Sequence, residues 1–177
     1  MRNLIATTAA LCLGLTALPA LAKDLIVTVA KPDRLYVIDA KARSIQTDCK
    51  LDFNLIPGVI VMSPDNTIAY VLADRWENVY GIELASCKTV FAAHQSEGDI
   101  RRKTVASLAV SKDGKELYTV RNPVKILADH YEIMEPELAV YDTSAGMGAK
   151  PARTFPVPRR MTVMATDRKG TLYAAGH

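Results

Sequence analysis

Apolar positions in this chain come in short runs separated by turn residues, and the runs recur in a fixed order. An apolar run at residues 59–62 leads into Ser63-Pro64-Asp65-Asn66, and one at 108–110 leads into Ser111-Lys112-Asp113-Gly114. Pro presets the backbone for a turn, while Asn and Gly tolerate positive φ. A second run follows each turn, at 68–72 and 116–120. A third ends on an acidic residue: Asp39, Glu83 or Asp142. A small-residue turn then leads to a fourth run, at 44–51, 89–92 or 152–155. The runs are rich in Val, Ile, Leu and Tyr, which reads as β-strand. Past the N-terminal segment no long stretch has the 3.6-residue period of an amphipathic helix.

The order repeats over residues 60–93, over 108–155 and again from 163 to 177, with a partial copy at 25–51. Four strands per unit, at a spacing of about 45 to 55 residues, is the pattern of β-propeller blades. A β-sandwich shares the short strands, but the repeated strand-turn-strand order favours an all-β propeller of four-stranded blades. About three and a half blades are expected. Such an arc leaves unpaired edges, so residues 23–177 are expected to be the N-terminal part of a longer propeller domain.

The N-terminus changes the setting. Arg2, the uncharged apolar stretch 4–18, Pro19 and the small-x-small site Ala20-Leu21-Ala22 form the three parts of a secretory signal peptide over residues 1–22. The apolar stretch is short for a membrane span, which needs roughly 20 residues. The expectation is a periplasmic protein with no membrane span in its mature chain. Of 22 basic and 19 acidic residues only Arg2 lies in the signal, so the mature balance is 21 to 19, a net charge of +2. That gives no reason to expect a nucleic-acid partner. The clusters Arg101-Arg102-Lys103 and Arg159-Arg160 read as solvated surface, or as docking faces.

Candidate chemistry is sparse. The sequence has no C-x-x-C-H, H-E-x-x-H, G-x-S-x-G or Gly-rich phosphate loop. His94, His130 and His177 lack metal-ligand spacing. No catalytic, cofactor-binding or metal-ligating residue is assigned. Trp76 falls in a strand-connecting turn and reads as a packing or interface aromatic. After signal removal Cys49 and Cys87 remain, an even pair in an oxidising compartment. They fall at similar positions, at the fourth strands of successive units, so a disulfide between the first two blades is expected. Two unpaired thiols are the alternative.

One stretch breaks the repeat. NPVKILADHYEIMEPELAVYD, residues 122–142, is longer than the link between second and third strands elsewhere by about 11 residues, because Tyr70 to Glu83 is 13 positions and Tyr118 to Asp142 is 24. Val124, Ile126 and Ala128 alternate with Lys125, Leu127 and Asp129, so the second strand can continue past its usual end. Pro136 marks a bend or edge. Two readings lead for the insert: an elongated hairpin covering the rim, or a subunit-docking element presenting Asp129, His130, Tyr131 and Glu132; a third, a metal or general-base role for His130, has no second ligand or activated nucleophile near it in sequence.

AKPDRLYVIDAKA, MSPDNTIAYV, SKDGKELYTV, the insert and FPVPRRMTVMATDRKGTLYAAG together resemble the beta subunit of quinohemoprotein amine dehydrogenase over essentially the whole mature chain. Single blade motifs are shared with YVTN-type propellers generally, and the insert is the specific part. The resemblance implies a seven-bladed periplasmic propeller in a heterotrimer. Its partners would be a dihaem cytochrome c subunit and a small subunit carrying cysteine tryptophylquinone, where primary amines are oxidised at the subunit boundary. Haem c and the quinone would belong to those partners, with no cofactor in this chain. Alternatives are a stand-alone YVTN-like propeller that binds a ligand or protein, and the heavy subunit of a methylamine or aromatic amine dehydrogenase.

Overall fold

The computed structural model describes residues 24–53 and 59–176. The expected signal peptide, residues 1–22, lies outside them, as does His177. Among the described residues no helix is long and apolar enough to cross a membrane.

The strands form antiparallel sheets in chain order. β1 (Leu25–Ala30), β2 (Arg34–Asp39) and β3 (Ser44–Lys50) make the first. β4 (Ile60–Met62), β5 (Ile68–Ala73), β6 (Asn78–Glu83) and β7 (Thr89–His94) make the second, paired in sequence order. β8 (Ile100–Lys103) precedes the third sheet, which holds β9 (Leu108–Val110), β10 (Glu116–Ile126), β12 (Glu137–Asp142) and β13 (Arg153–Pro156). β11 (Tyr131–Ile133) pairs only with β10. β14 (Met161–Thr166) and β15 (Leu172–Gly176) form a final hairpin.

Recurring turn residues have recurring jobs. The Ser63 hydroxyl donates to the Asp65 carboxylate and accepts from the Ile68 amide at 2.9 Å. Ser111 does the same with Asp113 and the Glu116 amide, also at 2.9 Å. Asn66 (φ 59°) and Gly114 (φ 74°) take the left-handed step each turn needs. The acidic residue that ends each third strand caps the next turn. Asp39 accepts from the Lys41 and Ala42 amides, Asp142 from the Ser144 amide, and Glu83 from the Ser86 hydroxyl.

The core lies between successive sheets. Side chains alternate across a strand, so β5 sends Ala69, Val71 and Ala73 toward the first sheet and Tyr70 and Leu72 toward the third. Burial on both faces explains why Ile68–Ala73 reads as one continuous apolar run. Between the second and third sheets, Phe91 meets Tyr70 and Tyr141 edge-on, with centroids 5.8 and 6.3 Å apart. Gly81 makes room for this cluster: a Cβ there would lie 2.9 Å from the Phe91 Cβ and 3.0 Å from the Tyr70 ring. Ala109, Val120 and Met164 join the third sheet to the last hairpin.

Cys49 on β3 is disulfide-bonded to Cys87 in the turn before β7, with Cα atoms 5.2 Å apart. The bond ties the outer edges of the first two sheets. Cys49 is fully buried, beside Leu35 and Leu51.

Candidate docking face

Antiparallel alternation puts two kinds of connection on one side of the array: those between second and third strands, and those between successive sheets. The Asp74–Trp76 turn, the insert and the segment carrying β8 therefore share one face. Hydrogen bonds join them into a layer. The Thr104 amide donates to the Trp76 carbonyl at 2.9 Å, and the Gln95 amide to the Glu77 carbonyl at 3.1 Å. Glu77 also accepts from the Ser96 hydroxyl at 2.8 Å and from Arg101 at 3.0 Å. β8 pairs with the far half of β10, from Asn122↔Lys103 to Lys125↔Ile100. The Val157 amide then donates to the Pro136 carbonyl, and Arg159 bridges to Glu135 at 2.7 Å.

The insert is a two-stranded extension of the third sheet. Tyr70 faces Gly81 across 11 positions and Tyr118 faces Val140 across 22, so the register carries the extra 11 residues. β10 belongs to the blade sheet up to Arg121 and to the hairpin from Asn122 onward. Pro123 accepts from the Met134 amide but has no N–H to return, and β11 pairing stops at Ile133, one residue short. β10 ends at Ile126, so Ala128 lies in the turn rather than in a continued strand.

Asp129 and His130 sit at the tip, both exposed, with the Asp129 carboxylate 2.6 Å from His130 Nδ1. Tyr131 and Glu132 follow on β11 and point to opposite hairpin faces. Tyr131 shares a face with Ile126, Val124 and Ile133, while Glu132 lies opposite Lys125. The four residues of the docking reading thus form a tip and two faces. Sequence reasoning named Ile126 only for its strand alternation and passed over Ile133. Exposure finds them: Tyr131 is 71% exposed, Ile133 68% and Ile126 39%.

Trp76 adds a second apolar projection, 41% exposed. Its turn runs through three left-handed residues, Asp74 (φ 49°), Arg75 (φ 57°) and Trp76 (φ 70°). Such backbone costs roughly 1–2 kcal/mol per residue and persists where neighbours hold it. Here the Asp74 carboxylate accepts from Asn78 and from the Tyr80 hydroxyl, both at 2.7 Å. Burial and the Asp74 carboxylate push the Tyr80 pKa up to about 12, so the phenol stays a donor.

A buried ionic cluster supports the insert where β10 leaves the blade. Register brings Arg121 opposite Glu137, with Nη2 to Oε1 2.6 Å. Arg102 from β8 approaches the same oxygen at 3.6 Å and donates to the Gln95 carbonyl at 3.2 Å. Among the described residues, the buried side-chain atoms without a hydrogen-bond partner are Gln95 Nε2, Arg102 Nε and Arg121 Nε, all donors in this cluster. One carboxylate therefore serves two guanidiniums. The cluster Arg101-Arg102-Lys103, read from sequence as solvated surface, is here a strand whose middle residue turns inward. Glu137→Ala is expected to destabilise the protein by about 2–3 kcal/mol, because it strands two cations, discounted for a Glu137 side chain that is 25% exposed. A urea midpoint equal to wild type would show that the carboxylate is not holding the pair.

Among the described residues no group of three or more His, Cys, Asp or Glu side chains is placed to hold a metal ion.

No protein-family model matches the chain. No curated protein matches its sequence. Solved structures do match its shape. It is similar to the β-propeller domain of Cps50 (Swd1) from Myceliophteria thermophila, at 16% identity and TM-score 0.63, over 86% of this chain and 47% of that one. It is similar to the WD40 domain of Toxoplasma gondii coronin, at 12% identity and TM-score 0.57, over 86% and 36%. It is also similar to the dihydro-heme d1 dehydrogenase NirN in complex with DHE, at 19% identity and TM-score 0.57, over 92% and 32%. The chain spans less than half the length of each of these structures. Four-stranded antiparallel sheets packed in series, with these neighbours, make the fold a β-propeller.

Proposed function

We propose that this chain is a non-catalytic propeller subunit that scaffolds a periplasmic quinohemoprotein amine dehydrogenase. It would hold the quinone-bearing and dihaem cytochrome subunits during oxidative deamination of primary amines. One observation carries the docking role. A continuous hydrogen-bonded layer of connections on one face presents Trp76, Ile126, Tyr131 and Ile133 to solvent on well-anchored backbone. Large aromatic and aliphatic side chains of this kind anchor interfaces. The amine-dehydrogenase assignment rests on the sequence resemblance, in which the insert is the specific element.

The test is recovery of the tagged full-length chain from its native host, followed by haem absorbance and quinone staining of the eluate. Both signals should co-purify. The triple variant Ile126→Ala/Tyr131→Ala/Ile133→Ala should lose them while the chain keeps wild-type circular dichroism. A chain that elutes as a stable monomer without haem or quinone would instead favour a stand-alone ligand- or protein-binding propeller.

A further inference from the structure

β11 is the outermost strand of the insert. It pairs with β10 and, among the described residues, with no other strand. Two flanking hydrogen bonds fix which way its backbone faces. The Leu127 amide donates to the His130 carbonyl at 2.9 Å, and the Met134 amide to the Pro123 carbonyl at 3.1 Å. Backbone groups alternate sides along an antiparallel strand. Glu132, opposite Lys125, therefore turns its N–H and C=O toward β10. Tyr131 and Ile133 turn theirs away, onto a free edge. The same two residues carry the most exposed large apolar side chains of the insert. Natural proteins blunt such edges with Pro, Lys or a bulge. β11 has none of these, and its register with β10 is unbroken.

Glu132 decides what the edge accepts. Its side chain lies on the face opposite Tyr131 and Ile133. It forms no ion pair among the described residues, and Lys125 across from it reaches Asp99 instead, at 4.0 Å. A strand added antiparallel to β11 would hydrogen-bond at Tyr131 and Ile133. Glu132 would then sit in a non-hydrogen-bonded pair, where opposing Cα atoms come within about 4.5 Å. A second copy paired about a two-fold axis at Glu132 would set two carboxylates against each other there, which is unfavourable. A strand with a basic residue at that place is favoured.

We infer that the β11 edge takes an extended strand from a different protein, of pattern apolar-basic-apolar. Its apolar side chains would join the Tyr131–Ile133 face, and its basic side chain would lie opposite Glu132. The inference rests on the docking reading of this face, and not on the amine-dehydrogenase assignment.

The test titrates isotopically labelled full-length protein with the capped peptide Thr-Thr-Val-Lys-Val-Thr-Thr, followed by amide shifts and hydrogen exchange. Binding should saturate below about 10 mM, the scale that a few exposed hydrogen bonds supply, and should slow exchange at the Tyr131 and Ile133 amides. The same peptide with Glu in place of Lys should bind about threefold weaker or worse, the size of an exposed charge contact. The peptide N-methylated at both valines lacks the donors and should not bind. Ile133→Pro removes an N–H that β10 does not use, at an edge position that tolerates Pro. It should abolish binding while leaving circular dichroism unchanged. Ile133→Ala keeps the N–H and should retain most of the binding. Absent saturable binding, binding by the N-methylated peptide, or equal losses in Ile133→Pro and Ile133→Ala would each overturn strand addition. Peptide binding with haem and quinone missing from the host eluate would uphold this edge and remove the amine-dehydrogenase assembly. Haem and quinone lost from the triple alanine variant but kept by Ile133→Pro would uphold docking and overturn strand addition.

Discussion

Phe91→Ala is expected to destabilise the protein by about 3–5 kcal/mol, the range for removing a buried aromatic from a packed core. Phe91 is 1% exposed and its ring meets Tyr70 from its own sheet and Tyr141 from the next. The substitution therefore removes packing within the second blade and the contact that joins it to the third. Edge-on aromatic pairs add roughly 0.5–1.5 kcal/mol beyond burial, which places the loss in the upper half of the range. Gly81, which lies against Phe91, has no side chain to fill the space. Chemical denaturation measures the change. Phe155→Ala, on the exposed outer strand β13, is the control and should stay within about 0.5 kcal/mol of wild type. Equal losses for the two variants would show that the second and third blades do not depend on this cluster.

Removal of the disulfide should have an effect of similar size. Cys49 and Cys87 are 38 positions apart. Closing a loop of that length in the unfolded chain corresponds to about 4 kcal/mol in the chain-entropy picture. The double variant Cys49→Ala/Cys87→Ala should lose roughly that amount. Reductant should destabilise the wild-type protein to match and leave the variant unmoved. If reductant fails to change the wild-type unfolding midpoint under conditions where thiol titration shows both cysteines reduced, the cross-link contributes nothing to stability.

Both effects concern the joining of blades, and only one of them is visible in sequence. The cysteines could be paired on paper because each falls beside the outermost strand of its unit, and the repeat supplies that position. The Phe91 cluster could not. Phe91, Tyr70 and Tyr141 sit in three different apolar runs, and which face each one takes depends on the sheet packed against it. The insert divides the same way. Its length and the continuation of β10 were legible, because counting positions against the other repeat is a local operation. β8 was not. Ile100-Arg101-Arg102-Lys103 is one apolar residue followed by three charges, which read as solvated surface; its alternating burial appears only in the structure. It becomes a strand only because β10 runs past the blade and offers an unpaired edge.

The docking face divides in the same respect. Asp129, His130, Tyr131 and Glu132 stand together in sequence, so a sequence argument treats them as one patch. A strand places neighbours on opposite faces, and the pairing of β10 with β11 groups Tyr131 with Ile126 and Ile133 instead. The Arg121–Glu137 pair spans 16 positions, so it forms no local pattern.

The sequence by itself determined the unit of this protein: the order of its strands, the Ser-x-Asp turns, the acidic caps, the repeat and the extra 11 residues. Each depends on φ/ψ preferences and hydrogen bonds within a few residues, which are written locally. Tertiary structure alone decided which side chains face a neighbouring blade, which remain exposed, and which charges are left without partners. Those outcomes depend on sheets brought together from distant parts of the chain, where burial and desolvation are set by what lies opposite.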